Sequence, residues 1–132
     1  MTTRAVLVAG IGCRSGVTPQ DVVAAIAIAI EKIRPEQPLE LLATIDSRGH
    51  EPGVVAAAQA QGVPLVLISK ESLQFANTNT LTHSERSFAA FGVRSVSEAA
   101  ALAAAGPNAR LLAARVAVGP VTCALAVGSS TL

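Results

Sequence analysis

The chain has 132 residues, 51% of them apolar and 14% charged, with a formal net charge of +1 at neutral pH. That length serves one domain with one core, and the apolar content excludes a disordered polypeptide. The near-neutral balance, with three Phe and neither Trp nor Tyr, offers no basic footprint and no stacking platform, so nucleic acid is not an expected partner.

In chain order, Ala5–Ala9 reads as a buried strand running into a glycine-rich turn, Gly10–Gly16, with Cys13 and Arg14 at its tip. Three glycines permit a tight turn and leave backbone N–H groups approachable. Thr18 caps the following helix, with Pro19 at its first position and Asp21 placed for a capping box. The helix is apolar nearly all round from Val22 to Ile30, and Pro35 and Pro38 end it. Leu39–Ile45 is a second strand, closed by the polar cluster Asp46-Ser-Arg-Gly-His-Glu51. Pro52 opens a second helix that ends near Gly62. Leu65–Ile68 is a third strand, after which Ser69 caps a short helix reaching about Phe75. Residues 77–84 read as an exposed loop with a solvated His83, and Glu85–Phe91 as a short helix ended by Gly92. Ser95 and Glu98 spell a capping box for a helix over Ala99–Ala105. Strands over Arg110–Val118 and Val121–Val127, joined at Gly119-Pro120, form an antiparallel pair.

The expected architecture is a single α/β domain over residues 1–132: three α/β/α layers around a mixed sheet of about five strands. A parallel β-α-β-α-β half with right-handed crossovers is followed by an antiparallel hairpin. Ligands of such sheets bind beyond the carboxyl ends of the parallel strands. Those ends carry Gly10–Gly16, Asp46–Glu51 and Ser69.

Cys13 and Cys123 form no Cys-x-x-Cys pair and have no His at ligand spacing, so no metal is expected and a reduced, cytoplasmic setting fits. Cys123 reads as a small buried residue. No signal-peptide pattern opens the chain, and the run from Val22 to Ile30 is too short to cross a bilayer, so no membrane is expected.

The glycine turn lacks the Gly-Lys-Ser/Thr ending of a Walker loop, and Gly10, Gly12 and Gly16 miss the dinucleotide spacing by one residue. Either it merely joins strand to helix, or its amides and Arg14 form an anion cradle. Cys13 could be a nucleophile, its thiolate favoured by Arg14 and the helix N-terminus, with His50 approaching as base; a ligand-facing or structural role is the alternative. Within the second cluster, Asp46 or Glu51 could act as general acid–base. Alternatively Arg48 pairs a ligand carboxylate while the acids hold Arg14 in place, or Glu51 simply caps the helix. Arg115 interrupts an apolar strand, either as plain alternation or as a further anion clamp. Thr122 begins the last strand, and its hydroxyl could reach the same edge.

Five stretches, in order and suitably spaced, carry a family resemblance: Gly10-Ile-Gly-Cys-Arg-Ser-Gly16, Ile45-Asp-Ser-Arg-Gly-His-Glu-Pro-Gly53, Ser69-Lys-Glu-Ser-Leu73, Gly92-Val-Arg-Ser-Val-Ser-Glu-Ala-Ala-Ala-Leu102 and Thr122-Cys-Ala-Leu-Ala126. Together they resemble the CobE/CbiG C-terminal domain family of cobalamin (vitamin B12) biosynthesis. In that family Lys usually stands at the positions of Arg48 and Arg115; Arg keeps the charge and changes the donor geometry. Full-length CbiG proteins have a further N-terminal part and open a lactone on cobalt-precorrin-5A, releasing acetaldehyde. The resemblance implies a corrinoid-pathway protein of the aerobic type, with no cofactor of its own, that binds a precorrin, a tetrapyrrole ringed by carboxylates. The expected ligand contacts are Gly10, Gly12, Cys13, Arg14, Gly16, Asp46, Ser47, Arg48, Glu51, Ser69, Arg115 and Thr122. The alternatives are a precorrin lactone hydrolase using Asp46, Glu51 or Cys13, and an accessory subunit docking on another cobalamin-pathway enzyme such as a precorrin methyltransferase.

Overall fold

The sheet is centred on its two longest strands, β1 (Thr3–Cys13) and β6 (Val121–Thr131), which pair antiparallel along their whole length. The computed structural model describes residues 3–131. On the other side of β1, β2 (Leu39–Ile45) and β3 (Leu65–Ile68) add in parallel. Beyond β6 lie β4 (Arg110–Leu111) and β5 (Val116–Val118), both antiparallel to it. The order is β3-β2-β1-β6-β4, with β5 on the other end of β6. The mixed α/β sheet expected from sequence is therefore present, with six strands because the stretch read as one strand over Arg110–Val118 breaks between Leu111 and Val116.

Strand alternation distributes the helices over two faces. Leu7, Ala9 and Ile11 of β1 point into one core with α1 (Pro19–Ile33) and α2 (Pro52–Gln61). Val8, with Ala43 and Ile45 of β2, points into a second core with α3 (Lys70–Ala76) and α5 (Val96–Ala105). Small side chains on α5 let it lie close to the sheet. Ala99, Ala100 and Ala101 are fully buried, and a Cβ on Gly10 would overlap the Ser97 carbonyl oxygen and sit 2.6 Å from the Ala101 amide nitrogen. Gly10 is thus a strand residue that admits a helix, and the expected turn begins only after Cys13. Gly16 does belong to the turn, at φ +82°, a conformation costly for other residues.

The α1 capping box forms as read: the Asp21 N–H donates to Thr18 Oγ1 at 3.1 Å, and the Thr18 N–H to Asp21 Oδ2 at 3.1 Å. At α5 only half of the expected box exists. Ser95 Oγ accepts from the Glu98 N–H, but the Glu98 carboxylate turns away to other donors. Within the stretch read as an exposed loop, 77–79 form a 3-10 turn and Thr80 is buried, its hydroxyl donating to the Asn77 carbonyl at 2.7 Å. α4 (Glu85–Phe91) follows, capped by Ser84 and closed by Gly92, with no buried residue. Among the described residues no single helix is long and apolar enough to cross a membrane.

Candidate functional site

The carboxyl ends of β1 and β2 each release a polar segment, and side chains stitch the two together. After β1, Cys13-Arg14-Ser15-Gly16 turns toward α1. After β2, a 3-10 turn over Asp46–Arg48 leads to α2. Arg48 Nη1 donates to Ser15 Oγ at 2.7 Å and lies 3.8 Å from Glu51 Oε1, while Glu51 Oε2 accepts from the Gly16 N–H at 3.0 Å. Glu51 makes no side-chain cap at α2. Below the loops, the Thr44 hydroxyl donates to the Ile11 carbonyl at 2.8 Å, tying β2 to β1 in the buried sheet.

A cavity of about 350 Å³ opens beside these loops. Its floor is the strand edge, with Gly12, Cys13, Thr44, Ile45 and Thr122. One wall carries Arg14 and Arg48, another Arg115 with Gly119-Pro120, and a third is α4 with Ser84, Arg86, Ser87, Ala90 and Phe91. Four Arg residues line it and, among the described residues, no Asp, Glu or His does. Arg48 Nε is buried without a partner, and Arg14 is exposed and bonds to no described residue.

Arg115 reaches this cavity because its strand breaks. Its backbone N–H leaves the ladder and donates to Glu98 Oε2 at 2.8 Å. The same fully buried carboxylate accepts from the N–H groups of Leu81 and Thr82 and from the Thr82 hydroxyl, each at 2.8 Å. Four donors around one buried carboxylate satisfy its lone pairs, as burial of that group requires. Glu98 therefore fixes two walls of the cavity from behind.

Of the twelve ligand-contact candidates, the cavity gathers Gly12, Cys13, Arg14, Arg48, Arg115 and Thr122. The other six lie elsewhere. Gly10 is packed under α5. The Gly16 N–H is occupied by Glu51 rather than left open. Asp46 and Ser47 are exposed on the 3-10 turn, outside the lining. Glu51 serves as the latch between loops. Ser69 caps α3, accepting from the Ser72 N–H at 3.1 Å. The acids do not hold Arg14, since the Glu51 carboxylate engages Gly16 and Arg48. The α4 wall was not read from sequence as part of any site. Its polar positions Ser84, Arg86 and Ser87 look like an ordinary solvated face, and only the tertiary path brings them to the strand edge.

Burial pushes the Cys13 thiol up from its ordinary value of 9.0; the Arg48 charge opposes this and the Glu51 charge adds to it. A thiol held protonated is a poor nucleophile, which removes the expected help from Arg14 and the helix N-terminus. Cys123 is buried, as expected, and burial alone pushes its thiol up to about 12. His50 is exposed and lies outside the lining; His83 pairs with Glu85 at 2.9 Å rather than standing alone. Among the described residues no group of His, Cys, Asp and Glu is placed to hold a metal ion.

The family model described as "Cobalamin synthesis G C-terminus" matches residues 7–126. The chain belongs to that family. Protein CobE from Sinorhizobium sp. is 35% identical over 128 residues, covering 96% of this chain and 82% of the relative. The crystal structure of CobE, a protein from the cobalamin (vitamin B12) biosynthetic pathway, superposes with a TM-score of 0.86 at 31% identity, over 93% of this chain and 90% of that one. The cobalamin biosynthesis protein chiG from Agrobacterium tumefaciens str. C58 is 41% identical with a TM-score of 0.74, over 92% and 97% of the two chains. A cobalamin biosynthesis protein G homologue from Sulfolobus solfataricus shares the fold at 21% identity and a TM-score of 0.67; the match spans 92% of this chain and 36% of that one. The CobE/CbiG membership expected from the five motifs is thereby established, and with it a place in cobalamin biosynthesis.

Proposed function

We propose that the cavity binds a precorrin-type intermediate by one carboxylated edge of its macrocycle and does so without turnover. The observation that carries this reading is the lining: four Arg and, among the described residues, no Asp, Glu or His around one small cavity. Like charges around one cavity repel one another, and a ligand bringing several carboxylates relieves that repulsion with charge-assisted hydrogen bonds. A volume of about 350 Å³ is at the low end for small-molecule sites. It suits acetate and propionate arms with the ring edge behind them, the rest of the ring staying outside. Ile45, Val96 and Phe91 supply apolar surface for that edge.

Hydrolysis of a lactone would need a base facing the ligand. The expected carboxylates do not face it, and the thiol that does is held protonated. Absorbance titration with hydrogenobyrinic acid, a corrinoid carrying free carboxylates, tests the reading. Saturable binding, weakened about tenfold or more in Arg48→Ala by loss of a charge-assisted contact, is the expected result. Absence of binding by the unaltered protein overturns it, and lactone opening would replace it with the hydrolase alternative.

A further inference from the structure

Among the α-helices of the described residues, α4 alone buries no residue. It has seven residues, and a helix this short is not stable by itself. The segments on either side of it are firmly held. On the N-terminal side, the buried Glu98 carboxylate takes the N–H groups of Leu81 and Thr82. On the C-terminal side, the Arg94 N–H donates to Asn77 Oδ1 at 2.8 Å and Arg94 Nη2 to the Asn77 carbonyl at 2.9 Å. Between these anchors the α4 segment is tied by the Ser84 N–H to the Arg94 carbonyl at 2.7 Å and by Gln74 Nε2 to the Phe91 carbonyl at 3.3 Å, and the exposed His83 beside the first anchor meets Glu85 at 2.9 Å and the Phe88 ring. Gly92, at φ +71°, closes the helix and gives a pivot beside the second anchor. Yet this loosely held helix forms a whole wall of the cavity and brings Arg86 to it. Arg86 is exposed and bonds to no described residue.

Resting on the carboxylate-binding reading above, we propose that α4 is a clasp: Arg86 is a ligand-contacting residue, and the helix becomes ordered over the ligand through it. A cation on a segment with little packing of its own has no structural task there. A carboxylate arm projecting from the cavity supplies the missing partner, and the rigid anchors confine the movement to residues 84–92.

The test combines titration with hydrogenobyrinic acid and amide hydrogen exchange on the full chain. In the unaltered protein, exchange over residues 85–91 slows on adding ligand while the α5 amides stay as they were. Arg86→Ala weakens binding about tenfold, as for loss of one charge-assisted contact, and abolishes that slowing. Its melting temperature does not change, since the side chain is exposed. Arg110→Ala, which removes an exposed cation of β4 outside the cavity lining, binds as the unaltered protein does. Tight binding with Arg86→Ala unchanged, or with exchange over 85–91 unmoved, overturns the clasp and leaves the carboxylate site standing. Equal weakening in Arg110→Ala overturns it too, because the effect would then be general charge. Failure of the unaltered protein to bind removes both.

Discussion

Replacing Glu51 separates a latch from a catalytic acid. In the structure its carboxylate accepts from the Gly16 N–H at 3.0 Å and faces Arg48 at 3.8 Å, with side-chain exposures of 16% for Glu51 and 30% for Arg48. A hydrogen bond to a charged group contributes about 1.5–3 kcal/mol when enclosed. Gly16 is exposed, so water replaces part of it and roughly 1 kcal/mol remains. The ion pair is long and partly solvated, and such pairs contribute about 0–1 kcal/mol. Glu51→Ala therefore costs about 1–2 kcal/mol, or a melting temperature lower by roughly 3–10 °C for a chain of this size. Glu51→Gln keeps an oxygen that accepts from Gly16 and loses only the charge, so its melting temperature falls between the other two. Thermal unfolding followed by circular dichroism reads all three proteins. A Glu51→Ala variant that melts within about 1 °C of the unaltered protein would refute the latch. So would Glu51→Gln falling as far as Glu51→Ala, since the retained acceptor would then have done nothing.

Gly10→Ala places a methyl group against the Ser97 carbonyl and the Ala101 amide of α5, backbone atoms that cannot swing aside; overpacking of this kind costs about 1–3 kcal/mol or more. Urea unfolding should show a clear loss, and an unchanged midpoint would mean that α5 does not lie against β1 at this position. At pH 8, iodoacetamide should label Cys13 more slowly than a cysteine in a short peptide, and Cys123 only after denaturation; fast labelling of Cys13 would restore the nucleophile reading. Both thiols also hold their protons more tightly folded than unfolded. Their contribution to stability is therefore complete below the ordinary value of 9.0 and is lost as the pH rises through the folded-state values, raised for Cys13 and about 12 for Cys123, because the unfolded chain is the better acid.

Much of the fold was legible because local signals agreed with the tertiary outcome. Thr18 and Asp21 start α1, Gly62 stops α2, Ser69 caps α3 and Gly92 closes α4, as their positions implied. The failures share one cause, a partner distant in sequence. Gly10 and Gly12 look like turn residues, yet one is small because α5 crosses β1 there and the other because a Cβ would lie 2.6 Å from Thr122 Oγ1. Glu98 sits at capping-box spacing from Ser95, but two loop amides, a hydroxyl and the Arg115 amide outbid the local N–H. That same contact breaks the strand read over Arg110–Val118 into β4 and β5. The site was half legible for the same reason. Positions at the ends of parallel strands could be foreseen from topology, whereas α4 reaches the strand edge through anchors at Glu98 and Arg94 that no local pattern announces.

What separates binding from chemistry here is the employment of each polar group. The Thr44 and Thr122 hydroxyls at the floor both donate to strand carbonyls, Ile11 at 2.8 Å and Gly12 at 3.4 Å, so their protons are spent inside the protein. Glu51 and Glu98 are tied to backbone amides and hold the loops that carry Arg48 and Arg115. Arg48 itself is braced through one nitrogen, Nη1, against Ser15 and Glu51, while its Nε stays unpartnered. A guanidinium can do both at once because its donors sit on separate nitrogens in a fixed plane, whereas an ammonium offers all three from one atom. Glu51 and Glu98 thus act on the protein, through the Gly16 and Arg115 amides, and not on the cavity. That division of labour is the one the proposed polycarboxylate cradle requires.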